Sequence, residues 1–249
     1  MTEKFLGPER TALITGSAKR LGAAVAHALA KKGVHLALHY NHSREAAEGL
    51  AESLETLGVR TALVQGDLAD ADAVKRIFHD AVAALGPIDI LINNASIFPE
   101  DVLGEADRES VHENVDINAL APMMLGQCLA AQQRNGVIIN FLDTRIQDYD
   151  YKHVSYHLSK RMLYTLTRMQ AVEYAPKIRV NGVAPGLVLP PAGKDETYLK
   201  DLASTNPLHS YGGPEDIVDA VLYLLDATFV TGQVLYVDGG RNLRGSMYA

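Results

Sequence analysis

Seven short apolar segments alternate with stretches of helical spacing along this chain, and this alternation limits the fold more than any other feature. The apolar segments cover residues 11–15, 34–39, 61–65, 88–92, 137–141, 178–183 and 233–237. Most of the stretches between them place apolar side chains at the spacing of one helix face. Strands that are separated by a helix pair in parallel, and the helices then cover the sheet. The sequence therefore predicts an α/β fold, with a doubly wound parallel sheet of about seven strands and helices on both faces.

The helical patterns and one irregular stretch account for most of the remaining chain. Helices are expected over residues 21–32, 44–57, 70–85, 108–134 and 214–225, with a further helix through residues 156–160. Residues 187–207 include Pro190, Pro191 and Gly193 and show only weak periodicity, which predicts a mobile flap over a site. We find no repeat, linker or low-complexity tract in the 249 residues. We therefore predict a single domain over residues 1–249.

Composition excludes several classes of function. The formal net charge of -7 argues against a nucleic-acid-binding protein, which needs a basic surface. No apolar run approaches the roughly 18 residues that cross a membrane, and the first eight residues lack the apolar segment of a signal peptide. Because Cys128 is the only cysteine, the chain cannot form an intrachain disulfide or a cysteine-based metal cluster. We expect a cytoplasmic protein that binds neither nucleic acid nor membrane.

Residues 15–22 lie between the first predicted strand and the first predicted helix, and read Thr-Gly-Ser-Ala-Lys-Arg-Leu-Gly. Glycine at this point lets the backbone approach a pyrophosphate, and the N-terminus of the helix offers free N–H groups and a partial positive charge. The segment therefore predicts a phosphate-binding turn. The alternative is an ordinary loop before a helix, with cations at the surface.

Tyr156 and Lys160 stand four positions apart, so both side chains lie on the same face of a helix. A nearby cation favours the phenolate, and we expect it to lower the tyrosine pKa from its ordinary value of about 10. This pair predicts a proton donor. The alternative is a half-exposed helix face without a catalytic role.

These features resemble the short-chain dehydrogenase/reductase superfamily, whose cofactor turn is Thr-Gly-x-x-x-Gly-x-Gly. Residues 15–22 match that turn with Arg20 in place of the middle glycine, and pteridine reductases share this Lys-Arg form. After the fourth apolar segment, Asn93-Asn94-Ala95-Ser96 resembles the superfamily's Asn-Asn-Ala-Gly motif, and pteridine reductases also have serine there. The resemblance implies a Rossmann-like, NADP-binding reductase.

The resemblance also implies roles for individual residues. Asn118, Tyr156 and Lys160 match the catalytic set of the superfamily, and the lysine is expected to hold the nicotinamide ribose. The implied cofactor contacts are Gly16, Ser17, Lys19, Arg20, Leu21, Asp67, Leu68, Asn94, Ala95, Ser96, Tyr156, Lys160, Pro185 and Gly186.

The residues after the second apolar segment bear on the choice of cofactor. NAD-selective sites usually place a carboxylate there, on the ribose hydroxyls. This chain reads His39-Tyr40-Asn41-His42-Ser43-Arg44, and Glu45 is the first acid. Histidine, serine and nearby cations suit a 2′-phosphate, so we predict NADPH. Pteridine reductases have a similar His-Tyr-x-x-Ser stretch, which makes Tyr40, Asn41, His42 and Ser43 candidate contacts; which residue of 41–44 touches the phosphate is open.

Asp143 departs from the superfamily in an informative way. Most members have a serine thirteen positions before the tyrosine, and it donates a hydrogen bond to the substrate carbonyl. A carboxylate accepts hydrogen bonds and cannot donate one unless it is protonated. Pteridine reductases and bacterial dihydromonapterin reductases share this Asp-Tyr-Lys set. The resemblance therefore implies reduction of a pterin by NADPH, with hydride added to a ring C=N carbon and a proton delivered by Tyr156 with Asp143.

Other residues are expected to contact such a substrate. Phe98 matches a phenylalanine that stacks the flat pterin against the nicotinamide in pteridine reductases, and stacking adds about 1 kcal/mol. Leu187 replaces the small polar residue of protozoal pteridine reductases, and residues 238–244 look more like the bacterial enzymes. The candidate substrate contacts are Arg20, Ser96, Phe98, Asp143, Tyr156 and Leu187.

Several alternatives stay open at this point. The substrate is of the dihydromonapterin, dihydrobiopterin or dihydrofolate type, or else a carbonyl of the 3-oxoacyl or sugar type. A catalytically silent NADPH-binding sensor is a third hypothesis, which the retained Asn118, Tyr156 and Lys160 disfavour. His153 and His157 with Asp150 could hold zinc, but we predict no metal. The superfamily implies a homotetramer built on the helices around residues 108–134 and 153–174.

Overall fold

A computed structural model describes residues 5–191 and 193–244 of the chain. Within these ranges the strands are β1 Thr11–Ile14, β2 His35–Tyr40, β3 Thr61–Gln65, β4 Ile90–Asn93, β5 Gly136–Phe141, β6 Ile178–Pro185 and β7 Val234–Val237. They form one parallel sheet in the order β3-β2-β1-β4-β5-β6-β7. The predicted seven-stranded parallel sheet is confirmed.

The helices between and after the strands agree with the sequence patterns at most positions. They are α1 Arg20–Ala30, α2 Arg44–Glu55, α3 Ala71–Leu85, α4 Arg108–Val115, α5 Ala121–Ala131, α6 Val154–Glu173, α7 Glu196–Leu202 and α8 Pro214–Asp226. Helix α7 lies inside the predicted flap over 187–207, where the sequence indicated no helix. The mobility of that segment stays a prediction, and position 192 within it lies outside the described residues, as do positions 1–4 and 245–249 of the predicted domain.

The predicted single helix over 108–134 is wrong in one respect. A five-residue π-helical segment, Asp116–Leu120, separates α4 from α5. Pro122, in the first turn of α5, has no backbone N–H, so the carbonyl of Asn118 lacks its ordinary i+4 donor. The local widening places the Asn118 side chain toward the loop after β4, and π segments of this kind are frequent at functional sites.

Both faces of the sheet are buried, as a doubly wound fold requires. Leu13 and Ile14 are neighbours in β1 and have no exposed surface, yet they pack into core clusters on opposite faces. Helices α1, α2 and α8 contribute to the cluster around Ile14. Helices α3 and α5 contribute to the cluster around Leu13. The predicted α/β class, with helices on both faces of one Rossmann-like domain, is confirmed.

The strand order reverses at β1, and this sets the position of the site. Ile14 at the end of β1 is in register with Leu38 of β2 on one side and with Ile92 of β4 on the other. The segments that leave these three strands therefore emerge side by side at the carboxyl edge. Ligands of open α/β sheets bind in the crevice that forms there. In the described ranges every helix is too short or too polar to cross a membrane.

Candidate active site

A cavity of about 540 Å³ opens at the carboxyl edge of the sheet. Its walls come from the ends of β1, β2 and β4 on one side and from β5, α6 and the 187–207 segment on the other. Seventeen of the predicted site residues line it: Gly16, Lys19, Arg20, Leu21, Asn41, Asp67, Leu68, Asn94, Ala95, Ser96, Phe98, Asp143, Tyr156, Lys160, Pro185, Gly186 and Leu187.

The turn between β1 and α1 requires glycine at two points. Gly16 has φ +61, and a Cβ there would lie 2.9 Å from the Cα of Ala95. A Cβ on Gly22 would lie 2.5 Å from the carbonyl oxygen of Gly16. The Asn94 side chain donates to the carbonyl oxygens of Thr15 and Gly16, at 3.0 Å each. The turn is therefore packed and hydrogen-bonded against the loop after β4.

The N-terminus of α1 fits an anionic ligand. Its N-cap residue, Lys19, makes no side-chain capping bond, and the first turn contains no acidic residue. The helix N–H groups and the positive end of the helix dipole thus face the cavity beside two cations, Lys19 and Arg20. A pyrophosphate needs N–H groups and positive charge of this kind, and the role of residues 15–22 as its site stays a prediction.

Arg20 occupies a backbone conformation that favours glycine. Its φ is +57, in the left-handed region that costs a non-glycine residue about 1–2 kcal/mol. This position is the middle glycine of the superfamily turn, which explains why glycine is usual there. The Arg20 Nη2 atom donates to the carbonyl of Pro190 at 2.8 Å, so the guanidinium joins the phosphate turn to the 187–207 segment.

His39 was not predicted as a site residue, but it supports the phosphate turn and lines the cavity. Its Nδ1 atom accepts from the Gly16 N–H at 3.1 Å, and its Nε2 atom lies 3.0 Å from the Gly66 carbonyl. An accepting Nδ1 requires that Nε2 bear the hydrogen. Burial lowers the pKa of this histidine, so the ring is neutral at pH 7. The signal in the sequence was its place at the end of a buried strand, next to the predicted cofactor residues.

Five predicted residues do not belong to the described cavity wall: Ser17, Tyr40, His42, Ser43 and Asn118. The Ser17 hydroxyl is buried and donates to the His39 carbonyl at 3.1 Å. Tyr40 is also buried, and His42 is exposed. Ser43 is the N-cap of α2 and makes no capping bond. A 2′-phosphate contact from residues 41–44 would therefore form at the N-terminus of α2.

Asn118 lies beneath the cavity and holds the loop after β4. Its Oδ1 atom accepts from the Ile97 N–H at 3.0 Å, and its Nδ2 atom donates to the Ile97 carbonyl at 3.1 Å. The same amide donates to the Ser159 hydroxyl of α6 at 3.0 Å. Because Ile97 lines the cavity, Asn118 acts on the site through the position of this loop.

Tyr156 and Asp143 form a hydrogen-bonded pair on the cavity wall. The Tyr156 hydroxyl donates to Asp143 Oδ2 at 2.9 Å, and Asp143 Oδ1 accepts from the Arg145 N–H at 2.8 Å. Burial, reinforced by the Asp143 carboxylate, raises the pKa of Tyr156 well above its ordinary value. The predicted lowering of this pKa is wrong for this structure, because burial and Asp143 raise the pKa by more than the Arg145 charge lowers it. The phenol is protonated at pH 7 and can serve as a proton donor.

Lys160 lies one helical turn from Tyr156 on the same wall, as the spacing predicted. Its ammonium donates to the Phe141 carbonyl at the end of β5, at 2.7 Å, and lies 5.7 Å from the centre of the Tyr156 ring. Burial lowers the pKa of Lys160 to about 8. The lysine, which is itself buried, therefore remains mostly charged at pH 7.

Arg145 is a second cation near the pair and was not among the residues predicted from the sequence. The guanidinium forms an ion pair with Asp150, and its Nε atom lies 4.0 Å from Asp143 Oδ1. Burial opposes ionisation of Asp150, but Arg145, the Lys152 N–H and His153 together outweigh it and lower the pKa of that carboxyl. The Arg145 charge also counters part of the increase in the Tyr156 pKa. A single arginine, which lies in the short 3₁₀ helix Thr144–Gln147, gave no signal in the sequence, because its contact with Asp150 forms only in the folded chain.

Phe98 packs against two aromatic side chains at the cavity. Its ring stacks on His153, with centres 4.0 Å apart and planes at 15°, and meets Tyr156 edge to face at 4.5 Å. The Nδ1 atom of His153 lies 3.0 Å from Asp150 Oδ2. His153 is thus engaged with Phe98 and Asp150. Among the described residues, no group of three or more His, Cys, Asp or Glu side chains is arranged to hold a metal ion.

Comparison with known proteins relates the chain to reductases. The model of a family described as Enoyl-(Acyl carrier protein) reductase matches residues 16–242. The 3-oxoacyl-[acyl-carrier-protein] reductase FabG of Staphylococcus aureus is 32% identical over 241 residues, which cover 93% of this chain and 97% of that protein.

Two solved structures match nearly the whole fold. FolM alternative dihydrofolate reductase 1 from Brucella canis, complexed with NADP, superposes with a TM-score of 0.89 at 31% identity over 96% of both chains. A blue fluorescent protein from a metagenomic library, in complex with NADPH, gives a TM-score of 0.88 at 31% identity over 96% of this chain and 99% of that one. Similarity to known proteins therefore extends from the phosphate turn to the last strand.

Proposed function

This chain belongs to the short-chain dehydrogenase/reductase superfamily as an NADPH-dependent reductase, and we propose that it reduces a pterin of the dihydromonapterin, dihydrobiopterin or dihydrofolate type. One observation supports this choice above the others: Asp143 accepts the hydrogen bond of the Tyr156 hydroxyl at 2.9 Å. A carbonyl substrate needs a second donor at this position, and a carboxylate is an acceptor. A pterin ring presents N–H groups that a carboxylate can bind. The two FolM structures among the solved neighbours favour the same class.

The residues on the wall fit the cofactor that the superfamily requires. The N-terminus of α1, with Lys19 and Arg20, would hold the pyrophosphate. Lys160 would hold the nicotinamide ribose. The N-terminus of α2 would offer its free N–H groups to the 2′-phosphate, with no acidic residue among positions 41–44 and Glu45 in the first turn. When bound, NADPH supplies a hydride.

The protein's own groups then supply the proton and the orientation. Tyr156 holds a proton at its hydroxyl at neutral pH, since burial and Asp143 raise its pKa. With a pterin in place, Asp143 would accept from ring N–H groups while the Tyr156 hydroxyl delivers its proton to a ring nitrogen. Phe98 is 42% exposed and would stack on the flat ring system.

A 3-oxoacyl thioester is the second candidate substrate, and the 32% identity to FabG favours it. The physical argument against it is local. The Tyr156 hydroxyl alone would have to stabilise the developing oxyanion, with the Asp143 carboxylate close to it. We therefore rank this substrate below a pterin.

A parallel assay of NADPH oxidation separates these candidates. The purified protein is given 7,8-dihydropterins, a quinonoid dihydropterin, dihydrofolate and a short 3-oxoacyl thioester at equal concentrations. We expect the highest kcat/KM with one of the pterins or with dihydrofolate. Faster turnover of the thioester than of every pterin would refute the proposed substrate class. Tight NADPH binding without turnover of any compound would instead favour a sensor.

Substitution Ser43→Asp tests the proposed 2′-phosphate site. Aspartate is a good N-cap, so α2 should persist, while its charge repels a phosphate at the same helix end. We expect kcat/KM with NADPH to fall about tenfold or more, with little change for NADH. Ser43→Asn is the matched uncharged control and should stay close to wild type. An equal loss with both cofactors would instead indicate local unfolding of the α2 N-terminus.

We also propose a homotetramer that acts in the cytoplasm. Helix α6 presents an outward stripe of apolar side chains, Leu158, Met169 and Val172, which are 47%, 60% and 81% exposed. Such a stripe on a long helix suits contact with a second copy. Light scattering coupled to gel filtration should give four chain masses, and a monomer mass at micromolar concentration would contradict this assembly.

A further inference from the structure

We propose that Asp101 is a positioning residue for the reaction: from the loop after β4 it caps helix α6, and it thereby fixes Phe98 relative to Tyr156. The inference rests on the proposed role of Tyr156 as proton donor, but it does not depend on which substrate is reduced.

The cap itself is the first observation. Helix α6 has His153 at its N-cap, and His153 makes no side-chain capping bond. Asp101 lies outside this helix in the sequence, and its two carboxylate oxygens accept from the Ser155 N–H at 3.1 and 3.2 Å. The Ser155 hydroxyl also donates to Asp101. The carboxylate therefore provides the capping bond at N2 that a local side chain usually provides, together with a negative charge at the positive end of the helix.

His153 is engaged elsewhere, which explains why the cap comes from another part of the chain. Its ring stacks on Phe98, and its Nδ1 atom lies 3.0 Å from Asp150. A cap supplied by residue 153 would hold α6 but would add no side-chain bond between the helix end and the loop after β4. A cap supplied by Asp101 joins the two, so the helix end and the loop must move together.

Backbone bonds extend the same junction. The Asp101 N–H donates to the Lys152 carbonyl at 2.9 Å, and the Val154 N–H donates to the Asp101 carbonyl at 3.2 Å. At the other end of the loop, Asn118 binds both backbone groups of Ile97. The short segment between Ile97 and Asp101 is therefore held at both ends.

Phe98 is in that segment, and Tyr156 follows the capped residue Ser155 directly. Their rings meet at 4.5 Å and 85°. Removal of the Asp101 carboxylate would loosen both partners of this contact at once: this end of the loop would keep only its backbone bonds to Lys152 and Val154, and the first turn of α6 would lose its side-chain cap. A displacement of about 1 Å at a reacting group can cost about 100-fold in rate, so the junction is placed where small movements matter.

The test compares two substitutions at Asp101 with a remote cap. Asp101→Ala removes every side-chain bond, whereas Asp101→Asn keeps an acceptor for the Ser155 N–H. Asp70→Ala is the matched control, since Asp70 caps α3 through the Asp72 N–H at 2.8 Å, away from the Phe98 loop. The assay uses whichever substrate the wild type turns over. If that substrate is the thioester alone, the pterin proposal fails while this comparison still stands.

For Asp101→Ala we expect kcat with that substrate to fall about tenfold or more, with KM for NADPH within about twofold of wild type. Asp101→Asn should recover most of the activity. Asp70→Ala should lower Tm without a change in kcat. The proposal is overturned if Asp101→Ala keeps wild-type kcat, or if its kcat falls no further than that of Asp70→Ala at an equal loss of Tm. A crystal structure of Asp101→Ala that retains the edge-to-face contact of Phe98 and Tyr156 would also overturn it.

Discussion

Substitution Tyr156→Phe should lower kcat/KM by about 10²- to 10⁴-fold for the substrate that the enzyme reduces, while the Kd for NADPH remains within about twofold of wild type. The phenol is 8% exposed, and its hydroxyl donates to Asp143, so no bulk water can readily replace it as the proton source. Its pKa lies well above the ordinary value because of burial and Asp143, so the hydroxyl remains protonated at neutral pH and does not limit the rate there by losing its proton.

Tyr164→Phe provides the matched control for this substitution. Tyr164 lies on the same helix, and its hydroxyl accepts from Arg168 at 3.3 Å on the exposed side. Its loss should leave kcat/KM within about twofold of wild type. Full activity of Tyr156→Phe would remove the phenol from the chemistry and return the site to a simple binding role.

The charge of the neighbouring Lys160 depends on pH. Burial lowers the pKa of Lys160 to about 8, so its positive charge is present below that pH and is lost as the pH rises through it. Tyr156 and the proposed ribose site therefore lose a nearby positive charge as the pH rises above about 8, well before the phenol itself ionises.

The fold could be predicted because its signals are local and periodic. Each strand was located within a few residues, since a run of apolar residues in a buried parallel strand has few alternative explanations. The error over 108–134 has a local cause as well. Pro122 lies one residue inside α5, and its missing N–H allows the π segment that carries Asn118. The sequence shows that a proline lies within the helical pattern, but it does not show whether the helix ends, kinks or widens there.

The site was predicted only where a motif or a resemblance named the residue. The supporting side chains were missed because their partners are far away in the sequence: His39 binds Gly16 and Gly66, and Asp101 binds Ser155. The direction in which the Tyr156 pKa shifts was also predicted wrongly. A spacing of four residues shows that Lys160 is close, but burial and the approach of Asp143 are properties of the folded chain, and these two raise the pKa of Tyr156.

Substitution Asp143→Ser should reverse the proposed preference for a pterin over a 3-oxoacyl thioester. Pterin turnover should fall about 100-fold, since one short hydroxyl replaces the two carboxylate oxygens, of which one accepts from the Arg145 N–H and the other from the Tyr156 hydroxyl. Reduction of a 3-oxoacyl thioester should rise, because a serine hydroxyl can donate to a carbonyl oxygen. The local fold should survive, because serine is a good N-cap and can still accept from the Arg145 N–H, and Arg145 keeps its ion pair with Asp150. Parallel kcat/KM measurements with the two substrates give the result.

Asp143→Asn separates charge from shape in the same experiment. Asparagine keeps one acceptor oxygen but removes the negative charge, so the pKa of Tyr156 should fall toward its ordinary value while burial continues to hold it up. If the carboxylate charge matters for the pterin, this isostere should lose most of the pterin activity and gain little with the thioester. If the acceptor geometry alone matters, it should retain activity that Asp143→Ser loses. Pterin turnover that is undiminished in both variants would exclude Asp143 from the mechanism and leave the 3-oxoacyl thioester as the stronger candidate.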